Sequence, residues 1–199
     1  MTELVDVKQT LTVVGMGGTL RERSRSRWAL EIGLAAAESG GTSTKLLSLE
    51  ELGLPIYIPG KPLADYPPQV KSFIDTVGSA DAMLWSTGAY HGTMAGVTKN
   101  ALDFLEFLSG EGYLDGVPVG MIATSGGQRA SVNSIDAMVH TAHALRAQVL
   151  PLKIPIGKAS QAFSSNGEVI DRAVERRLKM QAELLVEMAN KMVGNPIPA

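Results

Sequence analysis

The chain of 199 residues contains no cysteine. This absence excludes disulfide bonds, thiolate nucleophiles and thiolate metal sites, and it is compatible with a reducing compartment. No apolar run approaches the length of a membrane span. The formal net charge is only −2, so the protein lacks an overall field that would attract a nucleic-acid backbone. We therefore expect a small-molecule partner that is recognised locally, with no role for nucleic acid or membrane.

Length and composition predict one domain. The chain is long for one small domain and short for two, and 45% of its residues are hydrophobic, which is enough for a substantial core. No linker, internal repeat or low-complexity tract divides residues 1–199. Residues 1–9 hold two acids and a lysine and lack the apolar core of a signal peptide. We therefore expect a single domain in the cytoplasm.

Short apolar segments alternate with segments whose apolar residues recur at helical spacing. The short segments are predicted as strands and cover residues 11–14, 42–49, 82–86, 117–124 and 149–154. The helices between them are long enough to connect parallel strands. The pattern predicts an α/β fold, a three-layer sandwich with helices on both faces of a five-stranded parallel sheet in the order 2-1-3-4-5. Pro151 in the last strand indicates an edge position or a poorly hydrogen-bonded strand.

The stretch from Gly15 to Arg27 follows the first predicted strand and leads into an alanine-rich helix. N–H groups at a helix N-terminus have no partners within the helix and attract anions. Thr19, Ser24 and Ser26 add hydroxyl donors, and Arg21 adds charged ones. We predict that this loop binds a phosphate monoester. Alternatively, Ser24 or Ser26 only caps the helix.

Four arginines occupy alternate positions from Arg21 to Arg27. They cannot all face one phosphate, so we expect Arg21 to contact it and the others to face solvent or pair with Glu22 and Glu31. The loop is not a Walker motif, because no Gly-Lys-Ser/Thr follows at the required spacing. It is not a dinucleotide fingerprint either, because Leu20 occupies the place of the third glycine.

The glycine-rich turns after Val14, Ser86 and Thr124 all follow predicted strands. Ligands of such sheets bind beyond the carboxyl ends of the strands, so we expect the three turns to form one site. In the second turn, glycines allow a flat ligand to approach the backbone, and the rings of Tyr90 and His91 can flank it.

Histidines offer two further candidates. His91 is a candidate general acid, because histidine exchanges protons near neutral pH, although a lone loop histidine more often has a hydrogen-bonding or surface role. Asp136, His140 and His143 share a metal-like spacing in outline. No fourth ligand accompanies them and a polar helix face explains them, so no metal is predicted.

Four motifs occur in order along the chain, from about the first predicted strand to the fifth. They are Gly18-Thr19-Leu20-Arg21 with Ser24, Leu54-Pro55-Ile56-Tyr57, Ala80-Asp81-Ala82, and the run from Tyr90 to Asp103. Together they resemble the NADPH-dependent FMN reductase family.

The resemblance implies a flavodoxin-like domain, dimeric or tetrameric, that holds FMN and accepts hydride from NADPH or NADH. It assigns the FMN phosphate to Thr19, Arg21, Ser24 and Ser26, with Arg27 nearby. It places the flavin ring beside two turns, whose residues are Thr87, Gly88, Ala89, Tyr90, His91, Gly92, Ser125, Gly126 and Gly127. The N–H groups of Gly126 and Gly127 are expected to stabilise negative charge that develops on the ring.

Residues 88–93 depart from the family's pattern. The family commonly has Pro-Glu-Tyr-Asn-Gly-Ser where this chain has Gly-Ala-Tyr-His-Gly-Thr, a change that bears on the nicotinamide face more than on FMN. We expect an NAD(P)H-dependent FMN reductase that passes electrons to free flavin or a small acceptor. Alternatives with the same cofactor are a quinone or azo reductase and a dehydrogenase of a biosynthetic ring substrate. A non-catalytic electron carrier, the alternative of another class, is disfavoured by the weak net charge of −2.

Overall fold

The computed structural model describes residues 10–194 and contains seven strands and seven α-helices. The strands are β1 (Thr12–Gly18), β2 (Ser43–Ser48), β3 (Ala82–Tyr90), β4 (Thr93–Met94), β5 (Pro118–Thr124), β6 (Gln148–Val149) and β7 (Ile154–Ile156). The helices are α1 (Arg25–Ser39), α2 (Leu49–Leu52), α3 (Pro68–Gly78), α4 (Gly96–Asp103), α5 (Gln128–Ala144), α6 (Ala159–Ala162) and α7 (Arg172–Met192). Two 3₁₀ segments span Leu63–Asp65 and Phe104–Glu111.

The ends of the chain bear on two predictions. Residues 1–9, from which we predict that the chain has no signal peptide, lie outside the described residues. The single domain over residues 1–199 likewise stays a prediction. Among residues 10–194, no helix combines the length and the apolar character that crossing a membrane requires.

All strands join one sheet in the order β2-β1-β3-β5-β6, with β4 added to β3 and β7 added to β5. Every pairing is parallel except the β3–β4 hairpin. When β4 is set aside, this is the predicted order 2-1-3-4-5, which is confirmed. Parallel strands all end at one edge of the sheet, so the loops after β1, β3, β5 and β7 share that edge.

Helices cover both faces of the sheet. On one face, α3 and α5 pack a large apolar cluster that includes Phe73, Trp85 and Met138. On the other face, α1 lies against α7. Helix α7 buries Leu178, Ala182, Leu185 and Ala189, which recur at helical spacing on one side of the helix. The result is the predicted three-layer sandwich.

Strand β1 is longer than predicted. We expected it to end at Val14 and a glycine-rich turn to follow, but the strand continues to Gly18. Gly15 and Gly17 are strand residues that allow close packing rather than turn residues. A Cβ on Gly15 would lie 2.6 Å from Leu34 Cδ1, and one on Gly17 would lie 2.2 Å from the carbonyl oxygen of Ser86. The turn begins at Thr19.

Strand β3 also continues past its predicted end at Ser86 and reaches Tyr90. A two-residue turn, His91–Gly92, then leads back into β4. Both turn residues have positive φ, 51° at His91 and 84° at Gly92, as a type I′ hairpin turn requires. The sequence did not indicate this hairpin, because His-Gly is an uncommon pair for such a turn.

The predicted last strand, residues 149–154, is interrupted. Strands β6 and β7 pair with the two ends of β5, and the segment that contains Pro151 separates them. Proline has no N–H to donate to a sheet. The buried Gln181 bridges this gap, since its Nε2 donates to the carbonyl oxygens of Met121 (3.1 Å) and Leu152 (2.7 Å).

Candidate functional site

The carboxyl ends of the central strands open into one cavity of about 230 Å³, which we call the strand-end cavity. Four segments of the chain contribute its lining. The lining residues are Thr19, Arg21, Arg23, Ser24, Arg25, Ser26, Gly88, Ala89, Tyr90, Thr124, Ser125, Gly126, Ala159 and Ser160. The loops after β1, β3 and β5 therefore meet at one site.

Three buried hydroxyl groups form one end of the cavity. Thr19, Ser24 and Ser26 are only 8%, 2% and 1% exposed. Ser24 is the N-cap of α1, and its Oγ accepts from the N–H groups of Thr19 (3.0 Å) and Arg27 (3.4 Å). The Oγ atoms of Ser24 and Ser26 are 3.0 Å apart. Ser24 therefore caps the helix and also lines the cavity, so the two interpretations of this serine are not exclusive.

Helix α1 is also tied to the sheet at this point. Ser86 Oγ donates to the carbonyl oxygen of Ser26 at 2.8 Å, and both residues are buried. The hydrogen bond joins the first turn of α1 to the centre of β3. The hydroxyl cluster is thus held by two elements before any ligand binds.

Replacing Ser24 by alanine should lower the free energy of unfolding by about 1 kcal/mol, because α1 loses its capping oxygen. The resemblance stated above implies that the variant also binds FMN more weakly. Urea denaturation and flavin titration measure the two effects. Ser39→Ala is the matched control, because Ser39 is exposed at the other end of α1 and donates only to the carbonyl of Ala35. Equal stability of the two variants would contradict the capping role.

Three arginines line the mouth of the cavity. Arg21, Arg23 and Arg25 are exposed, and within residues 10–194 none of them forms an ion pair. No Asp or Glu is among the lining residues. The N-terminus of α1, at Arg25, adds the partial positive charge of the helix dipole. This end of the cavity therefore suits an anion.

Arg27 is placed differently. Its Nε is 2.9 Å from Glu31 Oε1 and its Nη1 is 2.7 Å from Glu51 Oε1. Its Nη1 also donates to Ser48 Oγ at 3.2 Å. The hydrogen bond that Arg27 donates to Glu31 raises the pKa of the Arg27 guanidinium above its usual value, and Glu51 adds to the effect. The predicted pairing with Glu31 is confirmed, and Arg27 does not line the cavity.

The other end of the cavity is formed by uncharged backbone. Gly88, Ala89 and Tyr90 come from the end of β3, and Ser125 and Gly126 follow β5. A Cβ on Gly88 would lie 2.7 Å from Thr19 Cγ2, so the absence of a side chain lets β3 lie close to the opening loop. In the described part of the chain, no protein acceptor takes the N–H of Gly126 or of Gly127.

Several predicted site residues lie outside this lining. Thr87 is buried behind it, where its Oγ1 accepts from Ala95 N (3.0 Å) and lies 2.9 Å from Thr98 Oγ1. His91 is exposed at the tip of the β3–β4 hairpin. Gly92 and Gly127 border a neighbouring groove instead. The structure thus gives Thr87 a supporting position and gives His91 no contact with the cavity.

Sequence reasoning missed five lining residues. Arg23 and Arg25 had been expected to face solvent or acids, yet they line the cavity. Thr124, Ala159 and Ser160 were not considered. Ala159 N donates to the Ser125 carbonyl at 2.9 Å and brings α6 to the site. The signal for Ala159 and Ser160 was available, because the loop after the last parallel strand must also lie at the carboxyl edge, and Thr124 is the residue at which β5 reaches that edge.

The residues with metal-like spacing on α5 do not form a group of metal-binding side chains within residues 10–194. Asp136, His140 and His143 are exposed on that helix. Over residues 10–194, no three His, Asp or Glu side chains lie close enough together to hold a metal ion.

Comparison with known proteins agrees with this geometry. A model of the family described as NADPH-dependent FMN reductase matches residues 11–161. An NAD(P)H-dependent FMN reductase of Pseudomonas aeruginosa is 30% identical over 189 residues, which cover 92% of this chain and 98% of that protein. A quinone reductase of Pseudomonas putida is 27% identical and covers 83% of this chain and 88% of that protein.

Solved structures share the fold. FerB, a flavoenzyme NAD(P)H:(acceptor) oxidoreductase from Paracoccus denitrificans, superposes with a TM-score of 0.74 at 23% identity and covers 92% of this chain and 98% of that one. A WrbA-like flavodoxin from Agrobacterium tumefaciens has a TM-score of 0.64 at 13% identity, over 92% of this chain and 99% of that one. The flavodoxin-like fold is confirmed. Since the family model covers most of the sequence, the chain belongs to the NADPH-dependent FMN reductase family.

Proposed function

We propose that this chain is an NAD(P)H-dependent FMN reductase and that the strand-end cavity holds FMN. The observation that carries the proposal is the division of the cavity into two ends. Buried hydroxyl groups, a helix N-terminus and Arg21, which forms no ion pair within residues 10–194, suit a phosphate at one end, and glycine-rich backbone suits a flat ring at the other. The residues present therefore fit FMN.

We call the end of the cavity formed by the buried hydroxyl groups, Arg21 and the start of α1 the phosphate end. Each kind of group there has its own role in binding FMN. Ser24 Oγ lies within hydrogen-bonding distance of both Thr19 Oγ1 (3.3 Å) and Ser26 Oγ (3.0 Å), so the geometry of the three hydroxyl groups is set before FMN binds. Arg21 supplies a guanidinium that can bind phosphate oxygens in pairs. Arg27, with its two carboxylate partners, holds the start of α1 rather than the ligand.

We call the opposite end of the cavity, formed by the uncharged backbone after β3 and β5, the ring end. Its backbone orients the flavin ring and donates hydrogen bonds to it. When bound, FMN accepts hydride from a nicotinamide and passes the electrons to an acceptor. The N–H groups of Gly126 and Gly127 are the donors that we assign to the negative charge that develops on the ring, although Gly127 borders the neighbouring groove and not the cavity itself. Thr87 keeps the end of β3 in place through Thr98 and Ala95. No side chain of this end is assigned as a proton donor.

Quinones or azo compounds are the second candidate for the acceptor. Tyr90 is 40% exposed and Gly126 is exposed, so a planar molecule can reach this end from solvent. Relatives named quinone reductase and NADPH azoreductase share 27% and 30% identity with this chain. The acceptor would then replace free FMN, and the cofactor site would be the same.

The visible spectrum of the purified protein, with its released flavin identified, tests the proposal. We expect FMN in the protein, or FMN binding when it is added. We also expect loss of the flavin colour on anaerobic mixing with NADPH or NADH, and turnover with free FMN. Faster turnover with quinones would identify them as the acceptors. A colourless protein that does not bind FMN, or bound FMN that neither nucleotide reduces, would contradict the proposal.

Self-association is a further part of the proposal, and a homodimer or homotetramer is expected. The loop at residues 54–58 supports it, because Ile56 and Ile58 are 73% and 51% exposed. Asn100 holds this loop by accepting from Tyr57 N (2.9 Å) and donating to the Pro55 carbonyl (2.8 Å). An apolar surface on a rigid loop is typical of an interface. Light scattering gives the mass in solution, and a monomer would contradict this part. The cytoplasmic location stays a prediction, which cell fractionation checks.

A further inference from the structure

The mouth of the strand-end cavity carries more positive charge than one flavin phosphate needs. A phosphate monoester has a charge of about −1.5 to −2 at neutral pH. One guanidinium and the N-terminus of α1 together supply about +1.5, which nearly balances it. Arg21, Arg23 and Arg25 with the helix terminus supply about +3.5. The surplus of about +2 matches a second phosphate monoester.

The hydroxyl groups and the arginines occupy different depths. The Oγ atoms of Thr19, Ser24 and Ser26 belong to buried residues at the base of this end. Arg23 and Arg25 are exposed at the rim. The inner groups suit the flavin phosphate, and the rim suits an anionic group on a ligand that arrives from solvent.

The extended backbone at Ser24 directs the side chains of Arg23 and Arg25 to the same side of the chain. Ser24 between them is extended, with φ −89° and ψ 109°. Side chains on either side of an extended residue lie on the same side of the chain, opposite the side chain between them. The Oγ of Ser24 is directed inward to Thr19 N (3.0 Å). Arg23 and Arg25 are thereby directed together, away from the hydroxyl cluster.

Both arginines also lack the partners that neutralise Arg27. Arg27 has two carboxylates, Glu31 and Glu51, whereas residues 10–194 provide no ion pair for Arg23 or Arg25. Glu22, the neighbouring acid, does not line the cavity. Guanidinium groups that line one cavity without carboxylate partners are typical of a phosphate-binding site.

We infer that Arg23 and Arg25 bind the 2′-phosphate of NADPH and make this chain prefer NADPH to NADH. The two nucleotides differ only by this phosphate monoester, which is the group that the surplus charge matches. The inference rests on the proposed function, because it takes the inner groups to be occupied by FMN. Arg23 and Arg25 are then specificity residues, and neither takes part in hydride transfer.

Arg23→Gln, Arg25→Gln and the double variant test this inference in FMN-loaded protein. We expect kcat/KM for NADPH to fall about 10-fold in each single variant and about 100-fold in the double variant, because charge-assisted hydrogen bonds are lost. The value for NADH should change by less than about threefold. Calorimetric titration gives a second readout without turnover: 2′,5′-ADP should bind the unaltered protein more tightly than 5′-AMP, and the double variant should bind both alike.

Arg176→Gln on α7 is the matched control, since Arg176 is exposed and does not line the cavity. Its kinetics with both nucleotides should be unaltered. Equal losses with NADPH and NADH in the double variant would overturn the inference, as would a fall in FMN affinity without a change in nucleotide preference. Tighter binding of FAD than of FMN, lost in the double variant, would assign the rim to a flavin diphosphate instead. A lack of flavin reduction by either nucleotide in the unaltered protein would contradict the proposed function itself.

Discussion

Gly17→Ala is expected to lower the free energy of unfolding by about 3 kcal/mol. The added Cβ would lie 2.2 Å from the carbonyl oxygen of Ser86 and 2.9 Å from its carbonyl carbon. Both atoms belong to the backbone of β3, which is hydrogen-bonded to β1 on one side and to β5 on the other. The backbone cannot move away without breaking these ladders. Urea denaturation of the flavin-free protein measures the loss.

Gly96→Ala provides the control for this substitution. Gly96 is the first residue of α4, and no atom lies within 4 Å of the position that a Cβ would take. Alanine is a better helix residue than glycine, so this variant should be as stable as the unaltered chain or more stable by up to about 1 kcal/mol. If Gly17→Ala were as stable as Gly96→Ala, the result would contradict the claim that β1 lies too close to β3 at Gly17 to leave room for a side chain.

Arg21→Ala is expected to weaken FMN binding by about 10- to 100-fold. Arg21 lines the phosphate end, and its guanidinium has no carboxylate partner within the described residues 10–194. Its side chain is exposed, so the free energy of unfolding should change by less than about 0.5 kcal/mol. Flavin fluorescence titration measures the dissociation constant, and added salt should narrow the difference between the two proteins.

Arg27→Ala separates a ligand contact from a structural ion pair. Arg27 pairs with Glu31 and Glu51, and its side chain does not line the cavity. Its N–H, which donates to Ser24 Oγ, remains in the alanine variant. We expect a loss of stability of about 1 kcal/mol or less, since the ion pairs are partly exposed, and FMN affinity close to that of the unaltered protein. If Arg27→Ala lost as much FMN affinity as Arg21→Ala, the assignment of the phosphate to Arg21 and not to Arg27 would be contradicted.

The phosphate end could be predicted because its parts are adjacent in the sequence. Thr19, Arg21, Ser24 and Ser26 lie between one strand and one helix, so local rules for helix N-termini bring them together. The meeting of the loops after β1, β3 and β5 was also predictable, because parallel strands end at the same edge. Thr19, Arg21, Ser24 and Ser26 all line the cavity.

Other parts of the site depend on contacts between distant segments. The sequence could not show that α2 brings Glu51 to Arg27, or that Arg23 and Arg25 form no ion pair with any residue from 10 to 194. It could not show that His91 and Gly92 form a hairpin turn, which takes His91 away from the cavity. Nor could it distinguish a glycine that allows a turn from one that allows two strands to touch, as Gly17 does.

The sequence by itself determined the α/β class, the strand order, the family resemblance and the hydroxyl groups of the opening loop. Periodicity and helix capping are properties of neighbouring residues, and the right-handed crossover is a general rule for parallel strands joined by a helix, so the sequence alone is enough to apply them. Only the tertiary structure decided which arginines are free to bind a ligand, where strands β1 and β3 end, and which residues after β7 complete the cavity. These outcomes depend on charges and atoms that folding brings together from distant positions.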